Sequence, residues 1–246
     1  MHAFGFGIVC AFSGVAHAGV NECCEPTEKL QHDGIDDLFL AARSHFEQTG
    51  RVPAMFKADI DAAYRRVPIK PSDRWAASVV FLVDGEWHKA EHWAMPFGAV
   101  ASVFAWDRIG ALLLWIATTL LHLPLLRYVD DFFCCIQDEC LEHSMQCFAE
   151  LVRLVLGQKS VSNRKLEYAT CRRPLVILGL EVLINEGGMS CTPRPEHIVK
   201  WLRVIEAALR DWILQPGAAS KLAGALSWAA QNMFARRASS LQSVQL

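Results

Sequence analysis

The alternation of apolar and polar positions divides the chain into short β segments and longer helical ones. Residues 35–48 carry apolar side chains at helical spacing and predict an amphipathic helix. "AMFKADI" (54–60) predicts a strand entering a turn. "ASVVFLVDGEWHKAEHW" predicts a hairpin with Asp84-Gly85 at its tip, a dipeptide that accepts the positive φ of a tight hairpin turn. "MPFG" (95–98) breaks the chain before an apolar helix expected from about Val100 to Leu121. Leu125 to Ile136 predicts two short strands joined by a tight turn with Asp130 and Asp131 at its tip, and a helix from about Glu139 to Leu156 follows. "PLVILGLEVLI" predicts a further β segment turning at Gly187-Gly188. Two tail helices, about Glu196–Leu214 and Ser220–Arg236, are expected on either side of a Pro216-Gly217 corner. In order, the middle of the chain reads strand, helix, hairpin, helix, strand, the alternation of a split βαβ sheet with helices on one face.

Two stretches bear on membranes. The start, "MHAFGFGIVCAFSGVAHAG", has an apolar segment and an Ala-His-Ala like a signal cleavage site, but no Lys or Arg precedes the apolar part, so no secretion is expected. Ile109 to Leu126 has no formal charge and just reaches the length of a bilayer span. His122 and Pro124 interrupt it, and a buried helix followed by a buried strand explains the run better than a membrane segment.

With 52% hydrophobic and 20% charged residues, a chain of 246 residues is globular rather than disordered. Its net charge of -2 hides an asymmetry. Residues 1–131 hold 11 basic and 16 acidic side chains, residues 132–246 hold 13 and 10, and Lys159, Arg164, Lys165, Arg172 and Arg173 face only Glu167. Such a run is either a solvated face or a phosphate-binding one. Nine cysteines without a C-x-x-C give neither a disulfide framework nor a zinc ribbon, so reduced thiols and an intracellular address are expected. Cys140, His143 and Cys147 share a helical face but lack a fourth zinc ligand.

The sharpest anomaly is the pair Asp130-Asp131 inside an apolar run, because two adjacent carboxylates must reach water or a cation. An exposed hairpin tip satisfies them; so does a divalent-metal site, which requires another carboxylate. "KADIDAAYRRVPI" (57–69) supplies one in Asp59, with Asp61 on the same face at the strand period of two. Carboxylates of this kind suit Mg2+ or Mn2+, and two such ions about 4 Å apart serve phosphoryl transfer in polymerases and nucleases alike.

"DIDAAYRRVPI" from Asp59, "MPFG" at 95–98 and "YVDD" at 128–131 resemble, in order and separation, the three central palm motifs of reverse transcriptases of the retrovirus-like and retrotransposon type. "KLAGALSWAAQ" (221–231) is similar to their thumb helix, and "LGLEV" (178–182) with its Gly-Gly turn resembles the hairpin that grips the primer end; together the likeness runs from about Val52 to Ala238. The resemblance implies an α+β polymerase palm with a ferredoxin-like sheet, followed by a small helical thumb. Residues 1–50 would be an unassigned start with a remnant of the fingers, 51–185 the palm, and 186–246 the primer-grip turn and thumb. Asp59, Asp130 and Asp131, with the backbone carbonyl of Ile60, would hold two Mg2+ ions, Mn2+ being an alternative. Tyr64 would pack on the sugar of an incoming deoxynucleoside triphosphate and exclude a 2'-hydroxyl, and Phe97 and Gly98 would lie under the nucleotide. Lys165, with Lys159 as rival, would protonate or neutralise departing pyrophosphate. Lys221, Gly224 and Trp228 would follow an RNA or DNA template-primer.

The likeness lacks the basic fingers strands that clamp a triphosphate; "GVNECCEPTEKL" would be the remnant of that region, with Asn21 its most family-like residue. No ribonuclease H, integrase or protease module is expected. The alternative to a working polymerase is a catalytically incompetent, retroelement-derived nucleic-acid-binding fragment.

Overall fold

The computed structural model describes residues 20–25, 29–171 and 173–233. The signal-like apolar start, Arg172 and the end of the expected last helix lie outside the described residues. The chain divides into two compact units: one built from 1–32, 59–123 and 147–165, the other from 33–58, 124–146 and 166–246.

In the second unit, α1 (Ile35–Thr49) begins where Asp36 and Asp37 complement the positive helix end and the Gly34 N–H donates to Asp37 Oδ2 at 2.7 Å. It stops at Gly50, whose φ of 66° ends the helical path while its N–H still reaches the Phe46 carbonyl. Beyond it run β1 (Ala54–Asp59), β4 (Leu125–Tyr128), β5 (Asp131–Ile136) and β6 (Leu166–Ala169), hydrogen-bonded in the order β4-β5-β1-β6. This is the order of a split βαβ sheet, with the hairpin β4–β5 beside the first strand and the last strand on its other side. Met55, Phe133, Cys135 and Ala169 share one core cluster with Ile35, Leu38 and Ala42 of α1, so α1 covers that face of the sheet.

The fourth sheet strand is β6, not "PLVILGLEVLI". That apolar segment breaks at Leu178 (φ 49°) and Gly179 (φ 77°), a turn that separates β7 (Leu175–Ile177) from β8 (Leu180–Asn185). With β9 (Gly188–Pro193) they form their own antiparallel sheet, β7-β8-β9, whose Leu175, Ile177, Leu180, Val182 and Ile184 complete the same cluster. The tail helices are α4 (Pro195–Asp211) and α5 (Pro216–Met233). α4 ends at Trp212 in the left-handed region (φ 55°), so the corner precedes Pro216-Gly217, which instead opens α5 where a proline lacks no needed N–H.

In the first unit, β2 (Ser78–Val83) and β3 (Glu86–Glu91) pair across Asp84-Gly85, both at positive φ, as the dipeptide predicts. α2 (Val100–Thr119) buries a single stripe, Ser102, Trp106, Gly110, Leu113 and Ala117, and leaves Leu112 and Trp115 exposed. Among the described residues α2 is the one helix long and apolar enough, by length and composition, to cross a membrane. α3 (Leu141–Leu156) follows a short 3-10 turn at Asp138–Cys140 and buries Leu141, Met145, Phe148, Ala149 and Val152 at helical spacing.

Candidate active site

The expected site residues fall in both units, each unit assembling its own group. In the first, β1 ends at Asp59 and the chain turns at once: Ile60 is buried, Ala62 takes φ 53°, and a 3-10 turn covers Ala63–Arg66. Three hydrogen bonds hold this corner in place. The Asp61 N–H donates to the Ser160 carbonyl at 2.8 Å, and the Arg66 guanidinium donates to the carbonyls of Asp61 (3.1 Å) and Lys159 (2.5 Å). Arg66 is therefore a brace between two loops.

The corner aims two carboxylates at one lysine. Lys165 Nζ stands 3.0 Å from Asp59 Oδ2 and 3.2 Å from Asp61 Oδ1. Burial alone would lower the lysine's pKa, but hydrogen bonds and charge attraction from Asp59 and Asp61 outweigh it and raise the value above the ordinary one. Lys165 thus keeps its proton at neutral pH. Asp61, which had no assigned role, shares the lysine with Asp59.

Tyr64 and Phe97, far apart in sequence, meet edge to face with ring centroids 5.3 Å apart. Gly98 has φ 88° and open space where a Cβ would stand, so backbone conformation, rather than crowding, reserves the position for glycine. One residue that sequence reasoning left without a role organises this loop. The Asn21 side chain accepts from the Val100 N–H at 2.9 Å and donates to the Gly98 carbonyl at 2.8 Å, capping α2, whose own N-cap residue is Ala99. The Asn is a capping residue type, but its partner lies 79 positions away, beyond any local pattern.

In the second unit, the β4–β5 hairpin pairs Tyr128 with Asp131, so Asp130 sits in the two-residue turn while Asp131 already belongs to the strand. Only one of the two acids occupies the tip, because cross-strand pairing continues to Tyr128–Asp131. Val129, the other turn residue, has φ 54°, an outlier for a β-branched side chain that costs about 1–2 kcal/mol. Asp130, Asp131, Tyr128 and Val129 line an open cleft of about 560 Å³ together with Gly34, Leu178, Gly179 and Trp228. The Trp228 ring lies against the β7–β8 turn, 3.5 Å from where a Gly179 Cβ would be. Lys221 and Gly224 stand exposed on α5 while Trp228 is half-buried, so the three residues expected on one face divide between solvent and the cleft. A second cleft of about 510 Å³ runs along α4 past Pro195, Val199 and Arg203 and contains none of the expected residues.

Behind the turn, Cys134 and Cys135 are buried; desolvation pushes both thiols up, Cys135 to about 12, and Cys134 is raised further by its neighbour against a smaller lowering from the Phe56 backbone. Among the described residues no three His, Cys, Asp or Glu side chains gather as a metal cluster. The carboxylates of Asp59 and Asp61 are hard oxygen donors, and in this structure the Lys165 ammonium pairs with both.

No protein-family model matches the chain, and no curated protein matches it. Among solved structures it is similar to the foamy viral protease-reverse transcriptase in complex with an RNA/DNA hybrid, at 20% sequence identity and a TM-score of 0.44, over 61% of this chain and 18% of that one.

Proposed function

We propose that the chain is the polymerase domain of a mobile-element reverse transcriptase, adding deoxynucleotides to a primer on an RNA template. The primer 3'-hydroxyl attacks the α-phosphate of a bound deoxynucleoside triphosphate, and pyrophosphate leaves. The observation that carries this reading is the Lys165–Asp59 pair at 3.0 Å. The carboxylate that the motif resemblance assigns to the metals and the lysine it assigns to the departing pyrophosphate come from distant parts of the chain and meet. The meeting of Tyr64 and Phe97, both expected at the nucleotide, supports the same reading.

Each side chain then has a task. Lys165 stays protonated and donates its proton or its charge to the leaving pyrophosphate. Tyr64, braced by Phe97, presents a wall against a 2'-hydroxyl, while Gly98 gives the template base an approach free of side chain. Asp59, Asp130 and Asp131, with the Ile60 carbonyl, would hold the divalent ions. Bound Mg2+ supplies Lewis-acid charge stabilisation to the transferring phosphoryl group. Lys221, Gly224 and Trp228 would track the template-primer.

The test is primer extension on an RNA template with Mg2+ or Mn2+, using the natural chain beside its Asp130→Asn variant. Extension by the first and none by the second is expected. Salt-dependent binding of template-primer without extension by either would refute the polymerase reading in favour of a nucleic-acid-binding fragment.

A further inference from the structure

We propose that Arg127 is a positioning residue that holds the Val129-Asp130 turn in its strained shape, with Asp33 clamping Arg127 from outside the sheet. β4 ends the order β4-β5-β1-β6, and the outward backbone groups of Arg127 find their partner outside the sheet. Asp33 supplies both bonds: its carboxylate accepts from the Arg127 N–H at 2.7 Å, and its own N–H donates to the Arg127 carbonyl at 2.9 Å. Asp33 stands two residues before α1, whose Ile35 and Leu38 are packed in the core with Phe133 of β5. The clamp is thereby fixed to a helix packed in the core.

The Arg127 side chain then works inward. Only 4% of the residue is exposed, and the guanidinium donates to the Val129 carbonyl at 3.2 Å. A buried guanidinium is expensive for a strand position that leucine or valine would fill at no electrostatic cost. Among what it contributes is a donor aimed at the carbonyl of Val129, the residue of the hairpin with an unfavourable φ. Val129 released from that bond relaxes toward extended backbone, and Asp130, the next residue, turns with it. Arg127 acts on Asp130 through the backbone and needs no contact with substrate.

The claim about catalysis rests on the polymerase reading, so the experiment separates the two. Native-state hydrogen exchange at 128–132 and primer extension are measured on the full chain and on Arg127→Gln, Val129→Gly and Arg127→Gln/Val129→Gly. Arg127→Gln is expected to speed exchange in the turn about tenfold while α1 stays protected, and to lower kcat about a hundredfold, the scale of a misplaced reacting group, with KM for the nucleotide unchanged. Glycine takes positive φ without strain, so Val129→Gly in the double variant restores both turn protection and kcat. A merely structural arginine is not rescued this way. Unchanged exchange in Arg127→Gln, or loss that Val129→Gly leaves in place, overturns the proposal. Should Arg127→Gln fail to fold, the same comparison on Arg127→Lys, with and without Val129→Gly, decides it. A natural chain that extends no primer, yet whose exchange follows this pattern, sinks the polymerase reading and leaves the positioning claim standing.

Discussion

Replacing Lys165 by methionine removes the one cation that two carboxylates share, and the size of the effect follows from geometry. At 3 Å a unit pair attracts by ~1.4 kcal/mol in water and by ~5.5 kcal/mol at an effective dielectric constant of 20. Lys165 and Asp59 are each 36% exposed and Asp61 49%, so solvent screening sets the pair near the lower figure. Ordering two flexible side chains removes part of that, which leaves about 1 kcal/mol for Asp59 and about half as much for Asp61. A double-mutant cycle of Lys165→Met with Asp59→Asn, read by urea unfolding at pH 7, should return a coupling of about 1 kcal/mol. The pH dependence has a fixed sign. The folded state holds the Lys165 proton more tightly than the unfolded state, so its stabilisation is complete below the ordinary lysine value of 10.5 and is lost as pH rises through the higher folded value. Coupling should therefore be constant from pH 6 to 9, within about 0.3 kcal/mol. A coupling of zero at pH 7, or one that vanishes below pH 9, would refute the arrangement of these three side chains.

Three further outcomes are expected. Gly179→Ala places a side chain at a φ of 77°, so it should destabilise by about 1–2 kcal/mol in urea unfolding, and because the Trp228 ring at 3.5 Å makes only an ordinary contact, Trp228→Ala should not relieve that cost. Phe133→Ala, at a fully buried site, should cost about 3–5 kcal/mol, whereas Phe97→Ala at 53% exposure should leave stability within about 0.5 kcal/mol and instead raise KM for the nucleotide in primer extension. In thiol labelling at pH 8 the exposed Cys140 should react in the native protein, while Cys134 and Cys135, buried and with raised pKa, should react only on unfolding; early labelling of that pair would contradict their burial.

What was legible in the sequence was whatever local physics determines. α1, α2, α3 and the β2–β3 hairpin are set by periodicity and by turn chemistry at Gly50 and Asp84-Gly85, and each forms within two residues of its expected range. β6 escaped because four residues, "LEYA", two of them exposed, carry too little alternation to distinguish a strand from a linker. The break at Leu178-Gly179 escaped for the opposite reason, since the surrounding apolar run hides a turn that requires two residues at positive φ.

The site divides along the same line. Acids between apolar flanks announce themselves through solvation cost, which singles out Asp130 and Asp131; Asp59 follows as the further carboxylate a metal site requires, at the end of an expected strand. The groups that hold them are harder to see. Asn21 reaches Val100, Arg66 reaches Lys159, and Asp33 reaches Arg127, each across at least 77 positions, and no spacing rule connects such pairs. Arg127 did leave a trace: a guanidinium in a run of leucines raises the same question about charge in an apolar strand as the two aspartates beside it. The arginine is buried where the acids border an open cleft, and a buried charge persists where its hydrogen bonds fix something the strand alone would let move: here the Val129 backbone that leads into Asp130.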